Sequence, residues 1–75
     1  MSTALLDHEK LTMAMEESDL TQEELAEEFG ITDRHLRYLK GKDTNVSASL
    51  LYRMSQIFRR PMESLLTFRE DNAEK

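Results

Sequence analysis

The sequence predicts an all-α fold of five short helices packed as one compact domain over residues 1–68, with a flexible acidic tail at 69–75. Three observations predict it. One proline and two glycines stand among abundant Leu, Met, Glu, Ala, Lys and Arg, a composition that favours helix over strand. Apolar residues recur at three- and four-residue spacing, the period of a helix with one buried side. Side chains that cap helix starts, Thr21, Thr32 and Ser47 or Ser49, stand just before those periodic runs.

The elements follow in order. Residues 4–17 read as a first helix, with Leu5, Leu11, Ala14 and Met15 on its apolar side and Leu6 and His8 near the edge. Thr21-Gln22-Glu23-Glu24 is a capping box: the threonine hydroxyl accepts from the third amide, and Glu24 reaches back to the threonine amide. Leu25, Ala26 and Phe29 then face the core, and Gly30 ends the helix because it accepts positive φ without strain. Thr32 caps a third helix that buries Leu36 and Leu39 and turns Asp33, Arg34, Arg37 and Tyr38 outward. Residues 41–46 form a loop. The fourth helix presents Leu50, Leu51, Met54, Ile57 and Phe58 to the core. Pro61 suits the first position of a fifth helix, where its missing amide proton has no partner to lose, and Met62, Leu65 and Leu66 supply that helix's apolar side.

Composition bounds the function. A chain of 75 residues holds one domain with a small core. It has no cysteine, and His8 and His35 stand apart, so the sequence predicts neither a metal nor a cofactor. The acid pairs Glu16-Glu17, Glu23-Glu24 and Glu27-Glu28 are helix neighbours that diverge, which argues against an enzyme. No segment approaches the roughly 20 apolar residues of a membrane span. A soluble cytoplasmic protein is expected, without a membrane partner.

The net charge of −5 opposes nucleic-acid binding when taken as a single number, but the charges are segregated. Residues 1–33 hold ten acids and one base, whereas residues 34–60 hold Arg34, Arg37, Lys40, Lys42, Arg53, Arg59 and Arg60 against Asp43 alone. The basic stretch opens inside the third helix. Two short helices about a tight turn, the second one basic, form a helix-turn-helix pattern and point to double-stranded DNA as partner.

Residues 20–32, LTQEELAEEFGIT, resemble the lambda-repressor/Cro-like (XRE) helix-turn-helix family, whose usual form is LTQEELAEKLGIS. Gly41-Lys42, Ser47-Ala-Ser-Leu-Leu51 and Pro61-Met-Glu-Ser-Leu-Leu66 follow in family order, so the resemblance runs from about Leu11 to Leu66. It implies that the third helix enters the major groove, with Thr32, Asp33, Arg34 and Tyr38 facing bases. Arginine donates two bonds to guanine, the commonest specific contact. The resemblance implies that Gln22, Arg37, Lys40, Lys42 and Asn45 meet phosphates. It further implies a homodimer through the fifth helix, with Met62, Leu65, Leu66 and Phe68 at the interface. Two positions depart from the pattern. Met15 and Lys40 stand where the family often pairs an Arg with a Glu, so both members of a partly buried ion pair are replaced together.

The expected function is a sequence-specific transcriptional regulator, a repressor acting at a palindromic operator. The alternative is an antitoxin or anti-repressor module on the same scaffold, with little DNA binding, whose acid-rich half docks a basic regulatory protein partner. A third possibility is the recognition head of a larger regulator.

Overall fold

The computed structural model describes residues 2–70. Among these, four α-helices form the body: α1 (His8–Glu17), α2 (Gln22–Phe29), α3 (Asp33–Leu39) and α4 (Ala48–Phe58). Two strands flank them, β1 (Ser2–Leu6) and β2 (Leu66–Glu70), paired antiparallel with Leu6 opposite Leu66 and Ala4 opposite Phe68. A single 3-10 turn, Met62–Leu65, leads into β2.

The five-helix expectation therefore needs correction at both ends. The expected start of the first helix is strand, and the helix begins only at His8. Asp7 caps it, its Oδ1 accepting from the amides of Glu9 and Lys10 at 2.9 and 3.0 Å. In place of a fifth helix stand the 3-10 turn and β2. Too few residues separate Pro61 from Leu66 to repay helix nucleation. From Leu66 onward the backbone gains more from a ladder with β1. Residues 69 and 70, expected in the tail, lie in β2; residues 71–75 lie outside the described residues.

Caps define the helical body. Thr21 and Glu24 form the reciprocal box on α2, at 3.2 Å for the hydroxyl and 2.8 Å for the carboxylate. Thr32 accepts from the His35 amide at 3.0 Å and Ser47 from the Leu50 amide at 3.2 Å. Gly30 closes α2 in the left-handed region at φ 76°. A Cβ there would come within 2.9 Å of the Arg53 guanidinium. Gly30→Ala is therefore expected to cost about 1–2 kcal/mol through the backbone alone. Urea unfolding checks this. A loss below a few tenths of a kcal/mol would mean that the turn relaxes to another geometry.

The core is one cluster. Leu6, Leu11, Leu25, Leu36, Leu39, Met54 and Leu65 are fully covered, and Phe29 meets Phe58 edge to face with ring centroids 5.5 Å apart. Leu6 belongs to the centre of this cluster. Its backbone also bonds Thr44 in both directions, at 2.8 and 3.2 Å, so the α3–α4 loop is stitched to β1. Arg60 pairs with Glu17, joining the end of α4 to the end of α1.

Candidate nucleic-acid interface

The fold holds α3 by its two leucines and leaves its other side open. Leu36 and Leu39 are fully buried, whereas Arg34, Arg37 and Tyr38 are exposed. On the helical wheel Arg34 lies nearly opposite the buried pair, so its guanidinium stands at the crest of the open side. No hydrogen bond or ion pair to Arg34 occurs among the described residues. Thr32 is exposed, but its hydroxyl is engaged in capping the helix.

Asp33 is held differently. Its Oδ1 accepts from Gln22 Nε2 at 2.9 Å and its Oδ2 from the Arg37 guanidinium at 2.5 Å. The Gln22 bond first, then Arg37, keep the Asp33 carboxyl below the usual carboxylate range, so it stays ionised at neutral pH. On the other side of the same glutamine, Lys40 Nζ donates to Gln22 Oε1 at 2.8 Å. Gln22, at the start of α2, thus bridges the first and last turns of α3. Four side chains expected to meet DNA separately form one connected polar network across the two helices.

Lys40 shares a cleft with Met15, Thr12, Leu20 and Leu25. The two positions at which the chain departs from the family's ion pair are thus neighbours in space. Met15 is buried, and Lys40 finds its polar partner in Gln22. No charge is left buried and unpaired, which would be the costly outcome of replacing only one partner.

The loop after α3 supplies the remaining candidates. Lys42 is exposed, its ammonium 5.5 Å from the centroid of the Tyr38 ring. This contact places a loop cation beside an aromatic ring of the open face. Asn45 is exposed. Between them Asp43 turns back toward the helical body: its Oδ1 accepts from the His8 amide at 3.0 Å and from His8 Nδ1 at 2.5 Å. Together with the Leu6–Thr44 bridge, this fixes both Lys42 and Asn45 from behind. Sequence reading left Asp43 without a role. Its isolation in an otherwise basic stretch was the available signal.

The His8–Asp43 bond has a pH signature. Asp43 raises the His8 imidazole above 6.5 chiefly through their hydrogen bond, and the two His8 hydrogen bonds, backbone first, lower the Asp43 carboxyl below 3.8. The histidine contribution is complete below its unfolded value near 6.5 and is lost as pH rises through the raised folded value. The aspartate contribution is complete above its unfolded value and is lost as pH falls through the lowered one. The wild-type melting temperature should therefore decline between pH 6 and pH 8.5 by more than that of Asp43→Asn. Parallel declines would show that the pair does not couple to folding.

The residues expected at a dimer interface are not equivalent. Leu65 is fully buried in the core, and Met62 and Leu66 are partly buried against it. Phe68, in β2, is 65 % exposed. His35, on α3, is exposed. Among the described residues no helix is long and apolar enough to cross a membrane.

Comparison with known proteins agrees with this geometry at the level of family. A sequence model of the family described as Helix-turn-helix matches residues 11–65, from the first full turn of α1 to the end of the 3-10 turn. No curated protein and no solved structure matches the chain.

Proposed function

We propose from one premise — the chain belongs to the XRE/lambda-repressor-like helix-turn-helix family — that it is a DNA-binding transcriptional regulator of the cytoplasm. In this reading α3 lies in the major groove and the protein acts as a repressor, by occupying an operator that overlaps a promoter. The observation that carries it is the open side of α3, where Arg34 stands exposed between Arg37 and Tyr38, without a partner among the described residues, while Leu36 and Leu39 anchor the helix from behind.

The roles divide by freedom. Arg34 reads a base edge, with Tyr38 touching a thymine methyl or a sugar one turn on. Arg37, Lys42 and Asn45 rest near phosphates and orient the domain without reading sequence. Gln22, Asp33 and Lys40 hold the two helices in register through their mutual bonds, and Gln22 meets a phosphate from the start of α2. Two copies related by a two-fold axis present their α3 helices about one turn of duplex apart, roughly 34 Å.

Selection of bound duplexes from random DNA, followed by a salt titration on the winner, tests this. A palindromic winner with half-sites one turn apart, and an affinity that falls steeply with salt, is the expected result. Failure to enrich any sequence would end the DNA-reading assignment. A second reading then gains weight from the exposed acids Glu16, Glu17, Asp19, Glu23, Glu24, Glu27 and Glu28 on α1, α2 and the turn between them. Here the same scaffold binds a basic regulatory protein, as an antitoxin or anti-repressor does.

A further inference from the structure

Two placements that disfavour the fold meet at one surface cavity. α4 ends on Arg59, whose backbone is left-handed at φ 58°, the one non-glycine residue with positive φ among those described. Its amide reaches back to the Ser55 and Gln56 carbonyls, and the Arg60 amide donates to Ser55 as well. A glycine closes a helix in this way without steric penalty, as Gly30 does on α2. An arginine there is strained by its own Cβ. At the end of α1 the mismatch is electrostatic. Glu16 and Glu17 occupy its last turn and no base stands there, so carboxylates sit at the negative end of the helix dipole. Local preferences are broken in this way where a site needs particular side chains.

The two helix ends line an open cavity of about 390 Å³, a size that suits a small molecule. Ala14, Ile57 and Phe58 form its apolar wall, and the Phe58 ring is held by its edge-to-face contact with Phe29. Glu17 and Asp19 line it from the α1 side, Arg59 and Arg60 from the α4 side. Arg60 and Glu17 pair with each other. The side chains of Asp19 and Arg59 are exposed and make no hydrogen bond or ion pair among the described residues. One carboxylate and one guanidinium thus stand unmatched beside the same apolar wall.

We propose that this cavity binds a free α-amino acid with an apolar side chain. Asp19 takes the ammonium, Arg59 takes the carboxylate, and the side chain lies on Ala14, Ile57 and Phe58. Other classes fit less well. A simple anion would meet Glu17 and Asp19, a simple cation would meet Arg59 and Arg60, and a hydrocarbon would leave both unmatched charges without partners. The site needs neither a second copy nor DNA, so it stands apart from the regulator reading.

Amide NMR spectra of the intact, isotope-labelled chain test it, titrated in turn with L-valine, L-leucine, L-methionine and L-phenylalanine. At least one of them should give saturable shifts centred on Ala14, Asp19, Phe58 and Arg59. The amide of that amino acid lacks the carboxylate, and its deaminated acid lacks the ammonium. Each should bind at least about tenfold more weakly, the loss expected for one charge-assisted bond. Arg59→Gly relieves the left-handed turn, so it should melt above wild type and yet lose at least about tenfold in affinity. Asp19→Asn should keep the wild-type circular dichroism and lose affinity to the same degree.

The absence of a saturable shift with all four amino acids overturns the proposal, as do shifts centred away from the cavity. Equal binding of the amide or the deaminated acid overturns it, because one of the two charges would then be idle. Binding retained by Arg59→Gly or by Asp19→Asn overturns it too. So does an Arg59→Gly variant that melts below wild type, since Arg59 would then serve the fold itself.

Discussion

Leu6→Ala should lower the unfolding free energy by about 2–5 kcal/mol, the range for emptying a fully buried leucine site. Leu6 is fully covered and belongs to the same cluster as Leu11, Leu25, Leu36, Leu39 and Leu65. Its neighbours cannot collapse freely into the space, because its own backbone is pinned to Thr44 on one side and β1 is laddered to β2 on the other. A domain of this size has only a few kcal/mol to lose, so a large unfolded fraction at 37 °C is expected. Leu20→Ala is the control, since Leu20 is 37 % exposed and should cost far less. Urea denaturation of both variants measures the difference. A Leu6→Ala loss no larger than that of Leu20→Ala would show that β1 is an appendage to the core.

Arg34→Ala should cost about 1–3 kcal/mol of binding free energy on the selected duplex and relax the choice of base at one position. Nothing in the free protein competes for its guanidinium among the described residues, so the loss reports the DNA contact. Lys42→Ala should weaken binding to every duplex alike and reduce the slope of affinity against salt by about one. Competition titrations with the preferred and a scrambled duplex, at several salt concentrations, separate the two patterns. If both variants lose equally on both duplexes, the division between reading and anchoring does not hold.

The helical body was legible in the sequence because its signals are local. A threonine three residues before a glutamate, a glycine after a phenylalanine and a serine before an apolar run each fix a helix end within one turn. Those signals match the bonds made by Thr21, Thr32 and Ser47 and the left-handed Gly30. The ribbon was not legible, because its logic is non-local. Residues 2–6 carry no strand pattern strong enough to stand alone, and Leu66 reads as well on a helix as on a strand. Only their pairing decides. Asp7 was the exception, a helix cap visible in the sequence that would have moved the start of α1 to His8.

The outward row on α3 followed from the spacing of Leu36 and Leu39. The bridge from Gln22 to Asp33 and Lys40 did not, because it depends on how α2 and α3 sit against each other. The family resemblance implied separate roles for Asp33 and Lys40, one at a base and the other at a phosphate. In the folded domain they are first of all each other's neighbours through Gln22.

The ladder between residues 2–6 and 66–70 also sets the order of events during synthesis. β1 leaves the ribosome first and must wait, with Leu6 uncovered, until the whole helical body and then its partner strand have emerged. Closure between such distant segments is slow compared with forming a single helix. A nascent chain stalled before Leu66 would thus leave Leu6 without its partner strand, open to proteases and chaperones.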